Sequence, residues 1–164
     1  MDVGFYIAAT AMLAASLATP VTAWAERRHH FPRRRLPVPG VLAALATLIL
    51  LSHPDLRDLF DPEIWSCIAA GLLVGAARGA LIALEADQIH LVVRLRRARD
   101  GIAVAAMLAL AAIVQFVTEV ARADKNPTET TSEFVMVVAS GFLFARSLVL
   151  WLRARELAHV DLVE

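Results

Sequence analysis

The sequence predicts an all-α membrane protein, a bundle of about five transmembrane helices that forms a single domain, 1–164. Hydrophobic residues make up 59% of the 164 residues, whereas soluble domains hold about 45–50%. The apolar residues are concentrated in five segments, and the arginines are concentrated in alternate connections between those segments. The formal net charge is zero, so the chain has no overall basic field that would favour nucleic acid as a partner.

A helix that crosses a bilayer needs about 20 mostly apolar residues. The predicted spans are 3–24, 38–52, 64–84, 101–121 and 132–152. The second span is the shortest, and it begins near Pro37 and Pro39. Proline suits a helix start because the first backbone N–H groups of a helix have no partner within it. Thr131 or Ser132 is the expected N-cap of the fifth span.

Residues 81–96 connect the third and fourth spans and alternate between apolar and polar positions. Ile89, Leu91, Val93 and Leu95 are the apolar members of the alternating part. A period of two is typical of a strand, so this segment predicts a small β-hairpin on the cytoplasmic surface, with its turn at 86–88. The alternative interpretation is a helical extension of the third span.

The basic residues predict the orientation of the spans. Eleven arginines fall in connections on one side, whereas the other side receives Arg57, Arg122 and Lys125. This places the N-terminus outside and the C-terminus in the cytoplasm, provided that the short second segment crosses. The first span is preceded by Asp2 and by no Lys or Arg, which is the wrong start for a secretory signal. The many arginines and alanines favour a bacterial cytoplasmic (inner) membrane.

The arginines of the cytoplasmic connections are also expected to bind anionic lipid headgroups, at about 1 kcal/mol per basic residue. The residues concerned are Arg27, Arg28, Arg33, Arg34, Arg35, Arg94, Arg96 and Arg97. The adjacent His29 and His30 are interpreted as part of this solvated basic cluster rather than as metal ligands.

Three glycines, Gly71, Gly75 and Gly79, recur at intervals of four residues in the third span. Residues four apart share one face of a helix, and glycines on that face let another helix approach closely in lipid. The partner is either a second copy of the chain or, as we favour, another helix of the same chain.

Two arginines, Arg78 and Arg146, lie within predicted spans. A charge at that depth costs several kcal/mol unless it is paired or reaches the interface. Both lie in the cytoplasmic halves of their spans, so one interpretation is that they extend to the headgroup region. The other is that they face the bundle interior and bind an anion, with Glu85 or Asp87 as an acidic partner.

A third polar position within the spans is Glu119, in the outer part of the fourth span. Gln115 lies one turn earlier and Arg122 lies three residues later. A local ion pair at the interface accounts for Glu119, and a proton-relay role is the alternative.

Motifs that bind cofactors or metals are not found. Cys67 is the only cysteine, so the chain has neither an internal disulfide nor a Cys-x-x-Cys thiol pair. The sequence lacks a zinc-protease His-Glu-x-x-His, a phosphate-binding glycine-rich loop and a Gly-x-Ser-x-Gly elbow. No cofactor and no metal is therefore expected, and these observations lower the expectation of an enzyme.

The chain resembles the CcdC-like family of small bacterial integral membrane proteins. The resemblance is carried by the segment from Gly71 to Gly79, by the alternating stretch that ends in arginines and by the new span that follows. That family is named for an association with cytochrome c biogenesis. The early Arg-Pro-rich loop and the segment from Gly141 to Arg146 fit the same layout. The resemblance implies a multi-pass membrane fold and supplies no catalytic residue.

Three functions agree with these observations. The first is a non-enzymatic accessory or structural subunit of a membrane complex, or a homo-oligomer. The second is a small transporter, or a protein that binds lipid or anions, which uses Arg78 and Arg146. The third is a membrane enzyme that acts on a phosphate-bearing lipid.

Overall fold

A computed structural model of the chain describes residues 3–25, 31–51, 62–96, 99–121, 127–158 and 160. Helices dominate it, and a small antiparallel sheet joins three short strands. The elements in chain order are α1 (Val3–Ala25), β1 (Phe31–Pro32), a 3-10 turn (Arg33–Arg35), α2 (Val38–Leu51), α3 (Pro62–Leu81), β2 (Ala83–Asp87), β3 (Val92–Arg96), α4 (Arg99–Ala121) and α5 (Pro127–Glu156).

Four of the described helices are long and apolar enough to cross a membrane. The candidate spans are Ile7–Ala25, Pro62–Leu81, Arg99–Thr118 and Thr131–Glu156. Helix α2 is as apolar as the others but has 14 residues. It is therefore about 21 Å long, which is shorter than the hydrocarbon core of about 30 Å.

Strand β3 lies between β1 and β2, and both pairings are antiparallel. The strands of the hairpin are in register at Glu85 and Arg94, and Phe31 of β1 lies opposite Val93 of β3. The sheet lies at the end of the bundle where α1, α3 and α5 end and α2 and α4 begin. This end is called the hairpin end below.

Helix α5 is the centre of the bundle. It packs along α3 and also contacts α2 and α4, while α1 packs against α2 and α4 on the far side. Helices α3 and α4 both pack on α5 but make little contact with each other. The main core is rich in alanine, with Met12, Leu108, Met136, Phe142 and Leu143 as its larger members. Small side chains let the helices approach closely.

A second, smaller core fills the hairpin end. Phe31, Leu84, Val93 and Ala154 are buried together there. This core joins β1, the hairpin and the last turns of α5, three segments that are far apart in the sequence. The hairpin is therefore packed onto the helices rather than held only by its own turn.

The structure confirms five helices and the hairpin of residues 81–96, and it differs from the sequence predictions at element boundaries. Helix α3 ends at Leu81, so the predicted span 64–84 is three residues too long. The turn lies at residues 88–91 rather than 86–88. Helix α5 begins at Pro127, which places the expected N-caps Thr131 and Ser132 inside it. Strand β1 was not predicted, because a two-residue strand carries no periodicity.

Candidate functional site

Arg146 is the largest fully buried side chain among the described residues, with an exposure of 0%. It lies on α5 at the hairpin end of the bundle. Its guanidinium packs on Gly101, where a Cβ would lie only 2.8 Å from the Arg146 Cζ and 2.9 Å from Nη1. Glycine in the first turns of α4 therefore provides the space that this charged group occupies.

Asp100, beside that glycine, joins the two arginines predicted within the spans. Arg78 donates a hydrogen bond from Nε to the Asp100 Oδ2 at 2.8 Å, and the Arg146 Nε lies 3.7 Å from the same oxygen. The first distance is a charge-assisted hydrogen bond, whereas the second is an ion pair without a hydrogen bond. Three helices, α3, α4 and α5, thus meet at one carboxylate.

The two guanidinium groups that share the Asp100 carboxylate differ in exposure. Arg146 is enclosed, whereas 40% of the Arg78 side chain is exposed. The second oxygen of Asp100, Oδ1, is buried and has no hydrogen-bond partner within the part of the chain that the structure describes. The Arg78 side chain is therefore the member of the cluster that is accessible from the surface.

Asp100 was not identified from the sequence, and the acidic partners that were expected lie elsewhere. Glu85 is opposite Arg94 across the hairpin. The Asp87 side chain accepts hydrogen bonds from backbone N–H groups of the hairpin turn. The available signal was the position of Asp100 in the first turn of α4, where a carboxylate is favoured by the helix dipole.

Asp87 organises the hairpin turn. Its Oδ1 accepts hydrogen bonds from the backbone N–H groups of Ile89 and His90, and its Oδ2 lies 2.7 Å from the His90 Nδ1. The hydrogen bond from the His90 backbone, followed by those from its ring and from Ile89, holds the pKa of Asp87 well below its ordinary value. Burial opposes this shift but does not cancel it. Leu91 closes the turn with a positive φ of 55°.

The glycine face of α3 is covered by α5 of the same chain. A Cβ at Gly71 would lie 2.5 Å from the Val138 carbonyl oxygen, and one at Gly79 would lie 2.9 Å from that of Arg146. At Gly75 it would collide with the Phe142 carbonyl and lie 2.7 Å from the Phe142 Cα. The three glycines thus lie against the backbone of α5 of the same chain.

A separate polar cluster lies between α4 and α5 near the opposite end. Ser132 donates to the Gln115 Oε1 at 2.8 Å, and the Gln115 Nε2 lies 3.4 Å from a Glu133 carboxylate oxygen. Gln115 and Ser132 are both buried. Gln115 was predicted as part of a polar site with Glu119, whose side chain lies outside the described residues.

The arginines predicted to bind lipid headgroups have different surroundings. Arg33 donates to the Gln88 side chain, whereas Arg34 and Arg35 are exposed. Arg94 is half-buried in β3. The side chain of Arg96, and all of Arg27, Arg28 and Arg97, lie outside the described residues.

Two further residues, Gln88 and Arg153, were not predicted from the sequence, and both satisfy helix ends. Gln88 donates to the carbonyls of Ala154 and Leu157 at the end of α5. Arg153 donates to the carbonyls of Gly79 and Ile82 at the end of α3. The last carbonyls of a helix have no partner within it, so these contacts fix where α3 and α5 stop.

Within the described ranges, no group of three or more His, Cys, Asp or Glu side chains is placed to hold a metal ion. Comparisons of the chain with protein-family models, with curated proteins and with solved structures found no match. The resemblance to the CcdC-like family therefore stays a prediction.

Proposed function

We propose that the chain is a multi-pass integral membrane protein of a bacterial cytoplasmic membrane, with a non-enzymatic accessory or structural role in a membrane complex or a homo-oligomer. The observation that carries the proposal is the distribution of polarity between the inside and the outside of the bundle. Large apolar side chains such as Leu73, Leu110 and Val21 are 67–72% exposed. Polar side chains such as Ser16, Thr19 and Arg146 are buried.

This distribution suits lipid better than water. A soluble protein rarely exposes large contiguous apolar surfaces. The buried hydroxyls of α1 also donate to carbonyls of their own helix, Ser16 to Met12 and Thr19 to Ala15. Backbone and hydroxyl groups inside a bilayer must find partners within the protein.

The tryptophans support the same placement. Trp24 lies near the end of α1, Trp65 near the start of α3 and Trp151 near the end of α5. Two of them are therefore at the hairpin end and one is at the opposite end. Tryptophan is enriched at both membrane interfaces, so this arrangement supports two interfaces at the two ends of the bundle.

Five crossings are favoured over four by the direction of the helices. Helices α1 and α3 both end at the hairpin end, so the chain must return to the opposite end between them. Of the described helices, only α2 lies in that interval. The described arginines outside the spans lie at the hairpin end, which supports a cytoplasmic hairpin and C-terminus.

The accessory role is supported by what the charged groups do. Asp100 lies against arginines from two other helices, and Gly101 gives Arg146 its space. These contacts fasten three helices together at one end. The lipid-binding alternative is favoured at Arg78, because this side chain is 40% exposed.

Cysteine accessibility in intact cells tests the placement. In a Cys67→Ser background, Ile89→Cys reports on the hairpin and Trp65→Cys reports on the opposite end. A maleimide that cannot cross membranes should label Trp65→Cys in intact cells and Ile89→Cys only after lysis, and carbonate washing should leave the protein in the membrane pellet. Labelling of Ile89→Cys in intact cells would reverse the orientation, and release by carbonate would contradict membrane integration.

The accessory role is tested separately by native purification and mass measurement of the intact assembly. A stoichiometric partner protein or a defined homo-oligomer is expected. A monomer at every detergent and protein concentration, without a partner, would contradict this part of the proposal while leaving the membrane placement unaffected.

A further inference from the structure

An apolar groove runs along α5 beside α4, and its part nearer the hairpin end lies between α3 and α4. Two adjacent cavities of about 640 and 370 Å³ form it, and Met107 and Val135 line both. The groove extends along α5 from Thr131 to Phe142, which corresponds to about 17 Å at 1.5 Å per residue. It is open because α3 and α4 pack on α5 but hardly on each other.

The hairpin end of this groove leads to the arginine–aspartate cluster. Val74 of α3 and Val104 of α4 line the groove, and each lies four residues from a member of the cluster, Arg78 and Asp100 respectively. Four residues correspond to about one helical turn, or roughly 5.4 Å. On α5 the groove likewise stops one turn before Arg146. The apolar groove is therefore closed at one end by charge.

We propose that this groove holds an acyl chain of an anionic phospholipid, whose phosphate is bound by Arg78 at the hairpin end. The inference rests on the proposed membrane placement, in which the hairpin end lies at the cytoplasmic headgroup level. It assigns a ligand to Arg78, the exposed arginine of the cluster. Neither the packing of the helices nor their orientation requires such a ligand.

The charge of the cluster favours an anion. Two guanidinium groups share the single carboxylate of Asp100, and Arg78 uses its Nε for that contact. Among the described residues, the Arg78 guanidinium has no second acidic partner. Its two terminal nitrogens can present parallel N–H groups to phosphate, which a planar guanidinium binds in bidentate fashion.

The walls of the groove favour a flexible chain over a helix. Val74, Met107 and Leu110 stand on or beside its rims with more than half of each side chain exposed. A second helix approaches closely where a continuous face of small residues lines the contact. In this groove the small residues, such as Ala70 and Ala106, are interspersed with larger ones such as Phe142. Methionine adapts its shape to irregular apolar partners, and an acyl chain can follow such a surface.

The test measures lipid retention by the full chain in a mild detergent, by native mass spectrometry after addition of phosphatidylglycerol or phosphatidylcholine. The wild type should retain phosphatidylglycerol in preference to phosphatidylcholine. Arg78→Gln should reduce that retention about tenfold. Arg99→Gln removes an exposed charge of the same type next to Asp100 and should change retention less than about twofold.

A second pair of variants tests the groove itself without altering charge. Met107→Trp should fill it and lower retention of phosphatidylglycerol, whereas Ile113→Trp, on α4 outside the groove lining, should not. The lipid retention of a variant is compared with that of the wild type only if both elute at the same volume in size-exclusion chromatography. A variant that fails to fold is thereby excluded from the comparison. Loss of retention in Met107→Trp alone would still support the groove if Arg78→Gln fails to fold.

Three outcomes would overturn the inference. The first is a folded, membrane-integrated protein that retains no anionic lipid. The second is equal retention by the wild type, Arg78→Gln and Met107→Trp. The third is a Met107→Cys variant, made in a Cys67→Ser background, that cross-links to a second copy or to another helix seated in the groove. In each case the protein is in the membrane, so the proposed placement stands while the lipid site fails.

Discussion

Replacing Gly75 with alanine should destabilise the bundle, because the added methyl group meets backbone rather than a side chain. The Cβ would lie 2.7 Å from the Phe142 Cα, whereas ordinary contacts begin at 3.4 Å. Because the Phe142 carbonyl oxygen lies closer still, helices α3 and α5 must separate locally by at least about 0.7 Å. A gap of about 0.5–1 Å forfeits roughly a quarter to a half of the dispersion energy of the atoms that it separates.

The magnitude follows from two opposing effects. Overpacking of a filled site costs about 1–3 kcal/mol, while alanine gains about 1 kcal/mol over glycine within a helix. Because a backbone obstacle cannot rotate away, we expect a net loss of about 1–2 kcal/mol in the free energy of unfolding. The measurement is unfolding in mixed micelles by titration with dodecyl sulfate, followed by circular dichroism.

Gly141→Ala is the matched control, because Gly141 lies on the α5 side of the same interface. Its Cβ would lie 3.2 Å from the Ile68 carbonyl oxygen, which a shift of a few tenths of an ångström relieves. We expect it to be neutral or slightly stabilising. Equal effects of Gly75→Ala and Gly141→Ala would refute the claim that backbone contact at Gly75 sets the distance between the helices.

Three further predictions concern the hairpin end. Asp100→Asn should lower the free energy of unfolding by about 3 kcal/mol. Arg146→Met should lower it less in the Asp100→Asn background than in the wild type, because the two residues interact. Losses that simply add in unfolding titrations would contradict this coupling. Gln88→Glu removes the side-chain N–H groups that donate to the α5 carbonyls and should lower the free energy of unfolding by about 1–3 kcal/mol. Amide hydrogen exchange should become faster in the last turn of α5 and stay unchanged in α1. The low pKa of Asp87 stabilises the turn above the ordinary carboxyl pKa of 3.8. Protection of the turn amides should therefore fall as the pH is lowered below about 4, and protection that stays constant there would contradict this role of Asp87.

The helices were predictable because their signal is local. Apolar runs of about 20 residues placed α1, α3, α4 and most of α5. The start of α5 was missed because Thr128, Glu129 and Thr130 resemble a polar loop. Proline is favoured at the first helical position, so Pro127 was the signal for an earlier start. Alternation likewise predicted the hairpin but not the place of its turn, which Asp87 determines by binding the amides that follow it.

The candidate site was predictable only in part. Arg78 and Arg146 were identified because a charge within an apolar run is costly. Their shared partner was not, since Asp100 lies at a helix start where a carboxylate needs no special explanation. Gln88 and Arg153 contact helix ends that are far away in the sequence. These contacts depend on how the hairpin and α5 pack together in the folded chain, and no local sequence pattern encodes that packing.

The two arginines within the apolar helices satisfy the same physical requirement in different ways. Arg146 meets the cost of burial with a neighbouring carboxylate and with space provided by Gly101. Arg78 meets it by pairing with that carboxylate while reaching the surface. Asp100 thus fastens three helices together, while Arg78 remains accessible from the surface. An anion at Arg78 would contact the accessible arginine without disturbing Arg146, which is why we assign the ligand to the exposed arginine and the structural role to the buried one.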